Sequence, residues 1–341
     1  KGGVSIAVIG QHFPYTPIAN PSYMVEGWSF GIRPEVLQKN VNKAKKQGAE
    51  IVVLLSHNGF DVDQKLAAMI NGIDVILTGH THDAIPKGIR IKDTLLLSSG
   101  SHGKYLGRVD LKVKNGKVVD TSSNLIPVFS DIIPPDPDMT KMINEIRAPY
   151  QDECDRAIGE TETLLYRRGN FNGSWDDVIC NTIMQERDTE ISLSPGFRWG
   201  TTLLPGQKIT IDDIYSQTSM NYPEVYRIEM TGKMIKELLE DVCDNIFNPD
   251  PFFQQGGDMV RVGGLTYTCH PKNKMGKRIS DLRMISSGKT IESNKKYVVG
   301  GWGSVNPNVK GPAIYNLLEN YISEKKIIKK SNLEAVKIVG M

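Results

Sequence analysis

Apolar runs and helix-like segments alternate along the first third of the chain. Continuous apolar runs are typical of strands in a sheet covered on both faces, whereas apolar residues along one side of a longer segment predict a helix. The helix predicted from Pro34 to about Gln47 begins with a well-placed proline and ends at Gly48. The predicted strands are Val4–Gly10, Ile51–Leu55, Val75–Leu77, Thr94–Ser99 and Arg108–Val113, with a second helix around Leu66–Ile70 and a hairpin turn at Asn115–Gly116.

A proline-rich stretch then interrupts this alternation. Ile132–Asp138 contains three prolines and predicts a linker, followed by a helix from Met139 to about Ala157 that Pro149 interrupts. Further elements are predicted at Asp176–Gln185, Tyr226–Met230, Lys233–Asp244, Gly264–Thr268, Tyr297–Gly300 and Ala313–Glu324. The expected fold class is therefore α/β plus α+β, with one domain at residues 1–130, a linker and helix at 131–157, and a second domain at 158–341.

The composition does not change the predicted fold, but it argues against some classes of function. The 341 residues suffice for about two domains, and 39% hydrophobic and 23% charged residues are ordinary for a globular protein. A net charge of +2 does not favour nucleic acid or an anionic membrane, and no apolar run approaches the length of a membrane span. Cys154, Cys180, Cys243 and Cys269 form no Cys-x-x-Cys motif, so buried thiols and disulfides both stay open.

Histidines collect at the ends of two predicted strands. His57 follows the strand Ile51–Leu55, and Gly79–Asp83, which reads Gly-His-Thr-His-Asp, follows Val75–Leu77. Ligands of open α/β sheets gather beyond the carboxyl ends of the strands, and neutral imidazole suits Mn, Zn, Fe and Ni. The spacing is equally compatible with histidines that are only structural. His102 follows another predicted strand and could lie near the same sheet edge, although a loop histidine is more often structural. His12 and His270 have no partner in the sequence.

The residues around these histidines resemble a known family. Leu54–His57 and Gly79–Asp83 are similar to the second half of the calcineurin-like metallophosphatase domain of the 5′-nucleotidase family, and Tyr226–Gly232 and Val262–Tyr267 resemble its carboxy-terminal domain. The resemblance implies the C-terminal part of a four-layer αββα sandwich followed by a 5′-nucleotidase C-terminal-like domain. It also implies two metal ions, with His57 and His80 on one ion and His82 on the other.

Three longer blocks narrow the resemblance within the family. Gln11–Pro21, Ser194–Gly206 and Phe247–Gly264 resemble the SoxB-type thiosulfohydrolases of bacterial sulfur oxidation. The resemblance implies a periplasmic dimanganese hydrolase that releases sulfate from a cysteine S-thiosulfonate on the SoxYZ carrier complex in thiosulfate oxidation. In it, Arg198 would hold the sulfonate oxygens, because a guanidinium presents a fork of donors to an oxygen pair. Trp28, Tyr15 and Trp199 would line the channel of the carrier arm, although aromatic residues in such loops often only pack.

The chain also departs from true nucleotidases, which hold the base between two aromatic rings in the second domain. Met259 and Val260 stand where the first ring is expected, and Gly300–Val305 contains Trp302 near the position of the second, where it could still stack. A 5′-nucleotidase or phosphodiesterase therefore stays the first alternative. A non-catalytic domain that binds a carrier protein or an anion is the second.

The beginning of the sequence bears on the number of metal ligands. The chain starts at Lys1, without an initiator methionine or a signal peptide, and enters a strand at Val4. The family's Asp-x-His pair, bridging Asp and Asn-His with its catalytic histidine would lie upstream of Lys1. Because two-metal hydrolysis needs both ions clamped close together, we expect the 341-residue chain alone to be inactive or nearly so.

Overall fold

The computed structural model describes residues 2–167, 169–197, 200–330 and 335–340. The chain forms two compact units. The first contains the residues up to Thr140 together with Pro249–Gly256, and the second contains Lys141–Asn248 and the residues from Gly257 onward. The domain boundaries at residues 130 and 157 stay a prediction, but the inclusion of Pro249–Gly256 in the first unit was not foreseen from the sequence.

The first unit is an α/β unit, as its alternating pattern predicts. Its strands are β1 (Ile6–Gln11), β2 (Ile51–Ser56), β3 (Val75–Thr78), β4 (Ile89–Ile91), β5 (Thr94–Ser98), β6 (Tyr105–Lys114) and β7 (Lys117–Pro127). Its helices are α1 (Thr16–Ala19), α2 (Pro34–Lys46) and α3 (Phe60–Met69), with 3-10 turns at Ser22–Met24 and Pro251–Phe253. The bounds of α2, β2, β3 and β5 confirm the sequence prediction to within one residue at each end.

The main sheet of this unit has the strand order β1-β2-β3-β5-β4, and only β4 runs antiparallel to its neighbour. The register pairs Gln11 with Ser56, Ser56 with Thr78, and Thr78 with Ser98, so the carboxyl ends of four neighbouring strands are level. Buried apolar residues of α2 and α3, such as Val41 and Leu66, pack against the sheet. The sheet thereby brings the loops that follow its strands to one edge.

The second unit carries the remaining elements. Its helices are α4 (Pro137–Arg147, which begins in the first unit), α5 (Gln151–Cys154), α6 (Ser174–Arg187), α7 (Ile211–Thr218), α8 (Gly232–Phe247) and α9 (Ile314–Lys325). Its strands are β8 (Ala157–Thr161), β9 (Ile191–Ser194), β10 (Lys208–Thr210), β11 (Tyr226–Thr231), β12 (Arg261–Gly263), β13 (Leu265–Cys269), β14 (Ile279–Met284), β15 (Lys296–Gly301), β16 (Ile327–Ile328) and β17 (Val336–Ile338). As Pro149 predicts, a 3-10 turn at Ala148–Tyr150 separates α4 from α5.

Mixed sheets organise the second unit around two apolar cores. The sheet β11-β15-β9-β12 and the strands β14-β13-β17 share one core with α8, and α6, α7 and α9 surround the other. Cys180, Cys243 and Cys269 are buried free thiols, and the Sγ atoms of Cys243 and Cys269 lie 3.6 Å apart. Among the helices in the described parts of the chain, none is long and apolar enough to cross a membrane.

A cluster of four charged side chains is buried in the second unit. The carboxylate of Asp176 accepts a hydrogen bond from Nε of Arg167 at 2.8 Å and lies 3.2 Å from Nε of Arg261. Asp258 is the second carboxylate beside Arg261, at 3.3 Å. Each of the four side chains is at most 1% exposed. Because two guanidiniums face two carboxylates, the cluster is neutral overall, as a buried group of charges must be.

Asp177 follows Asp176 in the sequence, and the burial of its carboxyl should make the stability of the protein depend on pH. Burial raises the pKa of Asp177 from 3.8 to about 6, against a hydrogen bond from Asn172. A folded-state pKa above the unfolded one adds stability that is complete below pH 4 and is lost as the pH rises through 6. The free energy of unfolding should therefore fall by about 3 kcal/mol across this window. Denaturant unfolding at several pH values should show a loss that is larger by this amount in the wild type than in Asp177→Asn, whereas parallel pH profiles would contradict it.

Candidate metal centre

The sheet brings the predicted histidines to one edge of the first unit. His57 directly follows β2, where its backbone N–H bonds to the carbonyl of Gln11 at 2.9 Å. The N–H of Gly79 bonds in the same way to the carbonyl of Ser56 at 2.9 Å, and His80 follows it. The centroids of the His57 and His80 rings are 5.3 Å apart, with an angle of 53° between their planes. The expectation that the two strand ends are neighbours is therefore confirmed.

A phenylalanine packs against both histidines, and a buried acid binds the two residues that flank His57. The Phe13 ring lies 4.3 Å from the His80 ring and 6.0 Å from the His57 ring, centroid to centroid, and forms an apolar wall beside both. Below the turn after His57, buried Asp63 accepts hydrogen bonds from Ser56 Oγ at 2.9 Å and from Asn58 Nδ2 at 3.0 Å. Burial raises the pKa of Asp63 above its ordinary value, and these bonds lower it in part.

Three histidines at this edge have left-handed backbones. The φ angles are 76° at His80, 59° at His82 and 58° at His102. Residues other than glycine seldom adopt this region, and such conformations cost on the order of 1–3 kcal/mol each and cluster at functional sites. Their concentration beyond β3 and β5 supports a function for this edge of the sheet.

His82 is positioned beside a residue that the sequence interpretation treated as a loop histidine. The rings of His82 and His102 meet edge to face, with centroids 5.8 Å apart. The loop after β5 is tied to the turn after β3, because Gly100 N–H and Ser98 Oγ both donate to the carbonyl of Asp83, at 2.7 and 2.5 Å. The sequence placed His102 near this edge because it follows a predicted strand, and the parallel pairing of β5 with β3 confirms that position.

The carbonyl of Gln255 contacts the His80 ring, which sequence reasoning did not predict. Nε2 of His80 lies 2.9 Å from this oxygen. A carbonyl only accepts, so Nε2 is the donor, and Nδ1 is the ring nitrogen through which His80 could bind a metal. Histidines that bind metals usually donate their other N–H to a carbonyl or carboxylate in this way. The donor chemistry at His57 and His80 therefore fits a divalent ion.

The described residues supply only part of a ligand set. Across the residues that the structure describes, no three histidine, cysteine or acidic side chains are arranged to hold one ion. Metal binding by His57, His80 and His82 stays a prediction. This prediction requires His57 and His80 to lie close together, and their rings do so.

A cleft of about 800 Å³ opens beside His57 in the first unit. Trp28, with 76% of its surface exposed, lines the cleft and stacks on Phe30 with 6.3 Å between ring centroids. Tyr15 is not among the lining residues, since its hydroxyl donates to the carbonyl of Phe252. The predicted substrate residue Arg198 and its neighbour Trp199 lie outside the described residues.

The buried charge cluster supports the loop that leads to Arg198. Arg167 donates through Nη2 to the carbonyl of Pro195 at 2.9 Å and through Nη1 to the carbonyl of Gln217 at 2.8 Å. Gly196 approaches so closely that an added Cβ would lie 2.2 Å from the carbonyl of Met259. Pro195 and Gly196 are therefore held on both sides.

Two residues near the expected positions of the nucleotidase rings, Met259 and Trp302, belong to the apolar cores of the second unit, and Val260 packs partly buried against one of these cores. Met259 is fully buried. Trp302 is 3% exposed, and its Nε1 donates to Ser194 Oγ at 2.8 Å. The idea that Trp302 could stack on a base is therefore wrong for this conformation, because its ring packs among the buried residues of the second unit.

Known proteins resemble the chain over most of its length. Residues 157–303 match the family described as 5′-nucleotidase, C-terminal domain. The sulfate thiohydrolase SoxB of Thermus thermophilus has 36% identity and a TM-score of 0.94, over all of this chain and 64% of that one. The uncharacterized metallophosphoesterase YunD of Bacillus subtilis is 29% identical over 88% of this chain and 64% of its own length. The trifunctional nucleotide phosphoesterase YfkN of the same species is 26% identical over 73% of this chain, which spans 17% of that protein.

Proposed function

We propose that this chain, whose residues 157–303 match the 5′-nucleotidase C-terminal domain, is part of a dimetal thiosulfohydrolase that releases sulfate from a cysteine S-thiosulfonate on a carrier protein. The observation that carries the choice of substrate is the burial of Met259 and Trp302 in apolar cores. A nucleotidase needs exposed rings to hold a base, and neither position presents one. The 36% identity to SoxB over the whole chain supports the same choice.

The proposed reaction is a hydrolysis without net oxidation. Water attacks the terminal sulfonate sulfur, the bond from this sulfur to the middle sulfur breaks, and its electron pair goes to the middle sulfur, which takes one proton of the water and stays bonded to the cysteine sulfur. The products are sulfate and a carrier persulfide, with release of one proton. Two divalent ions, proposed to be manganese, would supply an activated water and stabilise the developing charge.

The residues of this chain would bind and orient in this reaction. His57 and His80 supply imidazole lone pairs at one ion and His82 supplies one at the other. Phe13 limits the access of water to the first pair, against which its ring packs. Arg198 would hold the sulfonate oxygens, and Trp28 would form a wall for the carrier arm in the cleft beside His57. The proposal includes a periplasmic location and SoxYZ as the carrier.

Nucleotide hydrolysis is the second candidate function. It is favoured by the match to the 5′-nucleotidase C-terminal domain and by the nucleotide phosphoesterase YfkN among the relatives. In such an enzyme Arg198 would bind a phosphate in place of a sulfonate, because both present oxygen pairs to a guanidinium.

A comparison of two substrates separates these functions. We expect the full-length protein, loaded with Mn²⁺, to release sulfate from the thiosulfonate form of the carrier at least about 100-fold faster than phosphate from AMP. Ion chromatography measures the sulfate, and a phosphate assay measures AMP turnover. The control is a carrier whose arm cysteine is replaced by serine, which cannot bear the substrate. Efficient AMP hydrolysis without sulfate release would replace the proposal with the nucleotidase.

A further inference from the structure

The segment Pro249–Gly256, named the strap here, follows α8 in the sequence but packs in the first unit. Its middle is the 3-10 turn at Pro251–Phe253. Asp250 begins this turn, because its Oδ1 accepts a hydrogen bond from the N–H of Phe252 at 2.9 Å. The turn is therefore an ordered local structure that two further contacts attach to the unit.

One end of the strap is attached through Lys65 and Tyr15. Nζ of Lys65 lies 2.6 Å from Oδ1 of Asp250 and 4.0 Å from the centre of the Phe252 ring. The hydroxyl of Tyr15 donates to the carbonyl of Phe252, and the Phe252 ring packs against the apolar core of this unit. Asp250 and Phe252 are therefore fixed to the first unit by an ion pair, a cation–π contact and apolar burial.

The other end of the strap meets the imidazole of His80. The carbonyl of Gln255 accepts a hydrogen bond of 2.9 Å from Nε2–H of His80. Gly256 has a φ of +74°, and a Cβ added there would lie 2.6 Å from Nε2 of His80. Only glycine leaves the ring where it is, since any side chain at residue 256 would displace it.

We infer that the strap is a positioning element for a metal ligand: the Gln255 carbonyl fixes the tautomer and angle of His80, and Gly256 leaves room for the ring. The inference rests on the proposed function, in which His80 binds a metal. It adds that the affinity of the first unit for the ion depends on residues far away in sequence. Outer groups that orient a metal-bound histidine typically change affinity about 10–100-fold.

Two adjacent glycines give a matched test in the full-length protein. Gly256 and Gly257 both have positive φ, 74° and 86°, but only at residue 256 would an added Cβ meet an atom of the described residues within 4 Å. Titration calorimetry with Mn²⁺ alone should show affinity reduced about 10–100-fold in Gly256→Ala and less than threefold in Gly257→Ala. Equal affinities in the two variants would overturn the inference.

Further variants act at the attached end and keep the test valid if Gly256→Ala fails to fold. Lys65→Met should weaken Mn²⁺ binding through loss of the Asp250 contact, and Lys65→Arg should restore most of it. The ¹⁵N shifts of the His80 ring should report the Nε2–H tautomer in the wild type and a mixture in Lys65→Met. Binding unchanged in Lys65→Met together with an unchanged tautomer would also contradict the inference.

A parallel measurement on His80→Ala distinguishes the metal role of His80 from the positioning role of the strap. If His80→Ala binds Mn²⁺ like the wild type, the proposed metal role of His80 fails. If His80→Ala loses an ion while Gly256→Ala and Gly257→Ala bind alike, only the role of the strap fails.

Discussion

Replacement of Asp176 by alanine is expected to lower the free energy of unfolding by about 3–5 kcal/mol. The substitution leaves the guanidiniums of Arg167 and Arg261 buried with the single carboxylate of Asp258. All four side chains are inaccessible to water, so no solvent can replace the lost charge. The expected cost comes from the uncompensated charge that remains, which exceeds the worth of the lost hydrogen bond.

Urea unfolding followed by circular dichroism measures this effect. Asp176→Asn keeps the shape and should fall between the wild type and Asp176→Ala. The control is Glu229→Ala, which removes an exposed ion pair of 2.9 Å with Lys296 and should change stability little. If Asp176→Ala were no less stable than the control, the cluster would not be the buried charge network described here.

The same substitution links stability to the proposed site. Arg167 holds the carbonyl of Pro195, three residues before Arg198. Loss of its carboxylate partner should therefore loosen the loop as well as the core. For the Asp176→Ala protein that stays folded, KM for the thiosulfonate carrier should rise more than kcat falls. The reason is that this loop leads to Arg198, which is proposed to bind the substrate.

The sequence determines the first unit more fully than the second for a physical reason. Buried parallel strands are uninterrupted apolar runs, and helix signals such as Pro34 and Gly48 are local, so β2, β3 and α2 could be delimited from residues near them. The meeting of His57 and His80 followed from topology, since parallel neighbours end at the same edge. Both predictions used only short-range patterns and the geometry of a parallel sheet.

Contacts between residues far apart in the sequence could not be predicted from these short-range patterns. A backbone carbonyl such as that of Gln255 carries no side-chain signature, and it reaches His80 from 175 residues away. The charge cluster joins Asp176 to Arg261, whose charges look like ordinary surface charges in the sequence. Trp302 illustrates the same limit, because an aromatic residue in a glycine-rich run is equally compatible with stacking on a ligand and with burial in a core.

Removal of His80 or His57 is expected to abolish hydrolysis by the full-length protein, with kcat/KM reduced at least about 1000-fold. Their rings lie 5.3 Å apart, so both would serve the same ion. Either alanine variant should therefore lose one of two bound ions, and the double variant should lose no more than each single variant does. His82→Ala should lose the other ion, so combining it with His80→Ala should remove both.

Metal counting by mass spectrometry after dialysis, together with assays of sulfate release, measures these outcomes. The control is His270→Ala, because His270 bonds to Ser280 Oγ in the second unit and has no proposed metal role. If His57→Ala and His80→Ala each retained two ions and turned over substrate at nearly the rate of the control, neither histidine would be a metal ligand. Loss of a different ion by each would instead separate His57 from His80, and the 5.3 Å approach of their rings would then be packing alone.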